Sequence, residues 1–231
     1  MTRTCIRIGA AVALAFFAWT PGPAGAGEVR VPHGATSISV KSMREMRFTA
    51  VVQQRHDFSC GAAALATLLT YHYGTETTEV QLVDAMMAAG DPERIRREGF
   101  SMADMQRFLA AYGVRSNGYW ASLDDLRSAA IPVISLIDVK GYRHFVVIKG
   151  IAGDQVLVGD PVLGLKTYRI AEFEKIKVGP LFAIDDHQDM GQDSFNAPNQ
   201  WAVQPKSAVM TARWRDSIAL SSVLLRSPSE F

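Results

Sequence analysis

Four side chains stand at spacings that could carry acyl transfer. Cys60 lies in Gln54-Arg55-His56-Asp57-Phe58-Ser59-Cys60-Gly61-Ala62-Ala63-Ala64-Leu65 and is one of 2 cysteines in the chain. A thiol is a strong nucleophile as its thiolate. A helix N-terminus favours that anion through free N–H groups and partial positive charge, and a nearby histidine can take the proton. Cys60 stands at the mouth of an Ala-rich helical stretch, with Gly61 and Ala62 small enough to leave room for a substrate. His144 opens an apolar strand, and Asp160 closes the next one. A hairpin turn at Ala152-Gly153-Asp154 would set those two strand ends side by side. A carboxylate there can hold the imidazole by its second nitrogen and stabilise the imidazolium. The Gln54 amide and the Cys60 N–H would supply two donors for a developing oxyanion.

Each of the four also has an ordinary reading. Cys60 can be a small buried hydrophobe, His144 a satisfied core histidine, Asp160 the usual starter of an Asp-Pro turn, and Gln54 a surface residue. Taken singly, the ordinary readings lead; the order and spacing of the set favour chemistry. His56 and Cys60 have helical ligand spacing, but His33, His72 and His187 add no pattern, so no metal is expected. No Gly-rich phosphate loop is present and no cofactor is expected. Met86-Met87, Met102 and Met105 read as core.

Several elements must position these residues. Phe48 to Gln53 reads as a short strand leading into the cysteine motif. Ser59 to Tyr73 reads as a helix, with Ser59 as N-cap, Leu65, Leu68, Leu69 and His72 at helical spacing, and Gly74 ending it. Thr78 to Gln81 is a capping-box pattern opening a second helix to about Ala89. Pro92 starts a short charged helix to Glu98. Further helices are expected over Ser101–Tyr112 and Ser122–Ala129. The character then changes. Strands are expected over Pro132–Asp138, His144–Ile151, Gln155–Gly159, Leu165–Arg169 and Leu181–Ile184, with a short helix at Ala171–Ile176. Helices first and an antiparallel sheet second indicate an α+β fold.

The ends and the charge bound the function. Arg3 and Arg7 precede an apolar run, Ile8 to Trp19, of signal-peptide length; Ala24-Gly25-Ala26 is a small-residue cleavage signature. Residues 1–26 are therefore expected to be a signal peptide cleaved near Ala26, placing the mature chain in the periplasm or outside the cell. Cys5 leaves with it. No later stretch is long and apolar enough to span a bilayer. The chain has 24 basic and 23 acidic residues, and loss of the two signal arginines leaves it near neutral, which argues against nucleic-acid binding. Residues 27–47 form a polar lead-in with a weak alternation at Thr36–Val40. Residues 48–184 hold the expected domain. Residues 185–231 read as a polar linker and an amphipathic helix over Ser207–Arg226, using Met210, Trp214, Ile218 and Leu225.

Gln54, then Cys60-Gly61, then a helix closing on Tyr71-His72-Tyr73-Gly74, resembles the double-glycine leader peptidases, papain-like cysteine peptidases best known from bacteriocin-exporting ABC transporters. Pro132-Val133-Ile134, His144-Phe145-Val146-Val147, Asp160-Pro161 and Gly164 extend the resemblance over about Val51 to Ile184. It implies a papain-like fold, with Cys60 as nucleophile, His144 as base, Asp160 as orienting carboxylate and Gln54 as oxyanion donor. It also implies a peptide or protein substrate cut after small residues such as Gly-Gly. Ser59 and Ala62 depart from the aspartate and the proline or valine that many members carry there. With no ATPase motif or transmembrane domain following, the chain looks closer to free-standing exported members found with amyloid or peptide export systems. An export-machinery partner and a secreted peptide or fibre-subunit client are the corresponding expectations. The rivals are a non-catalytic peptide-binding accessory, an acyl transferase of the same thiol chemistry, and an inert core cysteine.

Overall fold

The computed structural model describes residues 27–30, 37–40 and 42–202. The expected signal peptide and the helix expected over Ser207–Arg226 lie outside the described residues. The chain divides into two units between Lys41 and Ser42. In the first, β1 (Gly27–Arg30) pairs antiparallel with β2 (Ser37–Val40), so the weak alternation near Thr36 is a strand.

The second unit begins earlier than the expected boundary at Phe48. Helix α1 (Met43–Arg47) is closed at its start by a capping box in which Ser42 and Glu45 bond each other's backbone. Phe48 to Gln53 is not a strand. The N–H groups of Phe48, Thr49 and Val51 turn back to the carbonyls of Glu45, Met46 and Phe48. The Val52 N–H donates to Thr67 Oγ1 at 2.9 Å. With four of its six donors spent locally and on a helix side chain, this segment does not join a ladder.

The helices expected next are present: α2 (Cys60–His72), α3 (Glu79–Ala89), α4 (Pro92–Glu98), α5 (Met102–Ala111) and α6 (Leu123–Ala129). Thr78, Ser101 and Ser122 each form a full capping box, and Asp91 caps α4 ahead of Pro92. Ser59 precedes α2 but makes no capping bond; its hydroxyl is used elsewhere, as described below. Every residue of α2 from Cys60 to Leu69 is buried, as befits a helix that is apolar all round.

Six antiparallel strands follow: β3 (Ser116–Tyr119), β4 (Val133–Val139), β5 (Tyr142–Ala152), β6 (Gln155–Asp160), β7 (Gly164–Arg169) and β8 (Lys177–Ile184), ordered β3-β8-β4-β5-β6-β7. Strand β3, Ser-Asn-Gly-Tyr, carries no apolar alternation and was not expected; it exists because β8 offers an edge to pair with. Ile134, Val147 and Phe182 face the core under α2–α5. Val133, Val146, Ile148 and Leu181 face the core under α6 and α7 (Ile170–Ile176). Both faces are covered, which is why these strands read as continuous apolar runs.

The expected linker after Asp185 is folded as far as the described residues go. Helices α8 (Gln188–Ser194) and α9 (Pro198–Trp201) follow β8. Phe195 and Gln200 are buried. The Asn196 N–H donates to the Lys149 carbonyl at 2.9 Å, and Asn196 Nδ2 donates to the Ile151 carbonyl at 3.1 Å. Asn196, one of the polar residues that suggest a linker, thus bonds β5 through both its backbone and its side chain.

Those bonds meet a bulge between Ile148 and Gly150, which places Lys149 in the interior, fully buried. Its Nζ donates to the Ala50 carbonyl at 3.0 Å and to His72 Nε2 at 2.7 Å. His72 Nδ1 lies 2.7 Å from Ser194 Oγ. No carboxylate pairs with Lys149 among the described residues, and burial lowers its pKa to about 7. The unfolded lysine titrates near 10.4, so between these values the unfolded state holds more protons. Stability therefore rises with pH there. Urea unfolding from pH 7 to 10 is expected to show wild type gaining stability relative to Lys149→Met as pH rises. A pH-independent difference would contradict the lowered pKa of Lys149.

Candidate active site

Cys60 is the first residue of α2 and is 9% exposed, opening onto a cleft of about 530 Å³. Phe58, Phe100, Met102, Leu136, Phe145 and Pro180 line its apolar part. Gly61 does not provide substrate room. A Cβ there would lie 3.1 Å from Phe100 Cβ and 3.4 Å from Phe145 Cδ2, and Ala62 is fully buried. Their small size lets α2 pack closely under the Phe100 loop and β5. Gly99, with φ +80, meets the Phe58 carbonyl, so these two walls also approach through a glycine.

His144 and Asp160 come together as their strands suggest. Val147 of β5 pairs with Gly159 of β6, and the adjoining strand ends carry His144 and Asp160, both buried. His144 Nε2–H donates to Asp160 Oδ1 at 2.9 Å. The same oxygen accepts the N–H groups of Val162 at 2.8 Å and Leu163 at 3.0 Å. Asp160 thus makes its turn and holds the imidazole at once; the two readings of the sequence are compatible.

The electrostatics follow from this geometry. Burial opposes charge on His144, but the hydrogen bond and charge of Asp160, together with the neighbouring Cys60, outweigh it and push the imidazole up to about 9. Burial likewise opposes ionisation of Asp160, and the His144 bond, its charge and the two turn N–H groups hold the carboxyl below its usual value. His144 Nδ1 is buried and makes no well-formed hydrogen bond, so the nitrogen not used by Asp160 is free for the thiol. The Cys60 N–H likewise makes no hydrogen bond among the described residues, as a first-turn helical N–H can.

Gln54 sits on the adjoining loop. Its N–H donates to the Pro161 carbonyl at 3.0 Å, tying it to the turn after Asp160. Its Nε2 donates to the His56 carbonyl at 3.2 Å, which occupies one of two amide hydrogens and leaves the second free. The side chain borders a second, more polar cleft with Thr70, Tyr71 and Glu79 rather than the one Cys60 lines.

Tyr142 is a site residue that the sequence reading left in a turn. Its ring stacks on His144 with centroids 5.9 Å apart and planes at 27°. The available signal was its place two residues before His144, on the same face of one strand. His56 stacks on Phe58 and is exposed, His72 bonds Lys149, and no cluster of three or more His, Cys, Asp or Glu side chains arranged for a metal occurs among the described residues. No helix among them is long and apolar enough to cross a membrane.

A thiol at a buried helix start, an imidazole and carboxylate on paired strand ends, and helices packed on an antiparallel sheet define a papain-like cysteine peptidase. Residues 49–184 match the Peptidase C39 family, and the chain belongs to that family. It is 46% identical over 151 residues to the "Probable functional amyloid protease FapD" of Pseudomonas aeruginosa, covering 65% of this chain and 67% of that protein. It is 41% identical over 167 residues to the protein of the same name from Pseudomonas fluorescens, covering 71% and 74%. The fold is similar to the peptidase domain of Streptococcus ComA, a bifunctional ABC transporter, with a TM-score of 0.51 at 19% identity, over 58% of this chain and 96% of that domain.

The raised His144 pKa makes two predictions. In Asp160→Asn the carboxylate is lost while burial remains, so the imidazole midpoint should fall from about 9 by more than one unit in an NMR titration; an unchanged midpoint contradicts the pairing. A folded pKa above the unfolded value of about 6.5 means the stabilisation is fully present below that value. It is lost as pH rises through about 9. His144→Ala should therefore lose this pH-dependent part of stability in thermal melts between pH 6 and 10.

Proposed function

We propose that this chain is an exported peptidase that cuts a secreted peptide or fibre-subunit client at small residues such as Gly-Gly. In this reading Cys60, His144, Asp160 and Gln54 carry the reaction. The observation that supports it most is the His144 imidazole, bonded to Asp160 at 2.9 Å through Nε2 with Nδ1 left free beside the thiol. A pKa near 9 keeps the ring protonated at neutral pH, as a ready acid.

Cys60 sulfur adds to the scissile carbonyl carbon, and the carbonyl electrons move to oxygen. The Cys60 N–H and the free hydrogen of Gln54 Nε2 receive that oxyanion. As the C–N bond breaks, imidazolium gives its Nδ1 proton to the leaving amine, leaving a thioester. Neutral His144 then takes a proton from water, whose oxygen attacks the thioester carbon. Collapse of the second tetrahedral species returns the thiolate–imidazolium pair. Asp160 stays ionised and fixes the ring throughout.

The fibre-subunit client comes from the names of the two relatives, and the cleavage preference from the double-glycine resemblance. The residues expected to be a signal peptide support export to the periplasm, where an export component would deliver the client.

The test is incubation of purified chain with fibre subunits from the same organism, with products identified by mass spectrometry. Wild type should release a new N-terminus after a small-residue pair. Cys60→Ala should release none. His144→Ala should be slower by at least about 10², within the range that one acid–base catalyst contributes. Client maturation that persists with Cys60→Ala would make the protein a binding accessory, and a product carrying an added amine would make it a transferase.

A further inference from the structure

Glu79 is a buried acid that the mechanism does not use. It is the first residue of α3 and is 3% exposed. No cation pairs with it among the described residues. Its Oε1 accepts the Arg55 N–H at 2.7 Å and the Ser59 hydroxyl. Its Oε2 is buried without a partner. Removing a carboxylate from water is unfavourable unless hydrogen bonds compensate it, so packing alone does not account for an acid here. Both groups it bonds lie in the loop between Gln54 and Cys60.

The bonds form a directed chain. Ser59 Oγ accepts the His56 N–H at 3.2 Å. Its single proton has two acceptors in reach, the His56 carbonyl at 2.7 Å and Glu79 Oε1. A carboxylate is the stronger acceptor, so the proton goes to Glu79. The His56 carbonyl is then free to take the Ser59 N–H at 3.1 Å and Gln54 Nε2 at 3.2 Å. Without Glu79 the Ser59 hydroxyl turns onto His56 and competes for the carbonyl that orients the Gln54 amide. Arg55, the residue between Gln54 and His56, also loses its backbone anchor.

We infer that Glu79 is a positioning residue for the oxyanion site: it holds the Arg55–Ser59 loop so that the His56 carbonyl fixes the Gln54 amide. The inference rests on the peptidase reading above. It assigns α3 a part in catalysis although no α3 residue lines the Cys60 cleft.

The test compares two probes of one thiol. A peptide aldehyde ending in Gly-glycinal adds reversibly to Cys60; sulfur bonds the aldehyde carbon, and its oxygen takes the proton and occupies the oxyanion site. Iodoacetamide alkylates the same sulfur without needing that site. Glu79→Ala should weaken the aldehyde by about tenfold, below the roughly 10² expected of losing an oxyanion donor outright. It should leave the alkylation rate within about twofold. Glu79→Gln, whose amide oxygen accepts the same two bonds, should restore most of the affinity. Glu79→Ala added to Gln54→Ala should cost little more than Gln54→Ala alone, because the two act in series. Additive losses, or aldehyde and alkylation falling together, would overturn the inference. If Glu79→Ala does not fold, Ser59→Ala carries the same prediction at smaller size, and its failure to weaken the aldehyde has the same force. If Gln54→Ala leaves aldehyde binding unchanged, the oxyanion reading itself has failed, and this inference with it. Should wild type be alkylated yet never bind the aldehyde, the peptidase reading falls instead.

Discussion

One buried hydrogen bond, His144 Nε2–H to Asp160 Oδ1, sets what the rest of the structure must supply. It joins two charged partners in a site with little water, where an imidazolium is tolerated only beside its carboxylate. The sheet meets that need by register. Strands β5 and β6 pair so that their ends carry the two residues, and the turn after Asp160 gives two backbone donors to the same oxygen. With Nε2 committed, the ring can address the thiol only through Nδ1.

The helical layer brings the thiol to that nitrogen. Helix α2 packs against the middle of the sheet through Ala and Leu side chains that are fully buried, and its first residue is Cys60. Gly61 permits the close approach to Phe100 and Phe145. The loop before it is pinned at four places: Val52 to Thr67, Gln54 to Pro161, Arg55 to Glu79, and Ser59 to Glu79. Three separate elements (α2, α3 and the β6–β7 turn) thus hold one short segment. The Lys149–His72–Ser194 chain ties β5, α2 and α8 together on the core side, so both layers that carry the site are joined by hydrogen bonds as well as by packing.

Much of this was legible in the sequence, where local chemistry decides. Thr78, Ser101 and Ser122 announce their helices through capping residues, and the apolar runs around Val146 and Val158 announce strands buried on both faces. The Cys60, His144 and Asp160 set was legible because each stands at the end of such an element. What escaped was set by tertiary partners. Phe48–Gln53 has strand-like residues, but four of its N–H groups bond the carbonyls of Glu45, Met46 and Phe48 and the Thr67 hydroxyl. Strand β3 has no pattern of its own and forms on the edge of β8. The Asp- and Asn-rich stretch after Ile184 looks like a solvated linker, yet Asn196 satisfies the backbone of a bulge that nothing in the local sequence marks. Glu79 sits in an unremarkable helix first turn, and its link to the cysteine loop spans 20 residues.

The central claim is that thiol and imidazole act as a unit, and the pH dependence of Cys60 alkylation by iodoacetamide in wild type and His144→Ala tests it most directly. The account predicts an inflection near pH 9 in wild type, where the imidazolium beside the sulfur loses its proton. That inflection should be absent from His144→Ala. Superimposable profiles, or a Cys60 inert to alkylation in the folded chain, would contradict it.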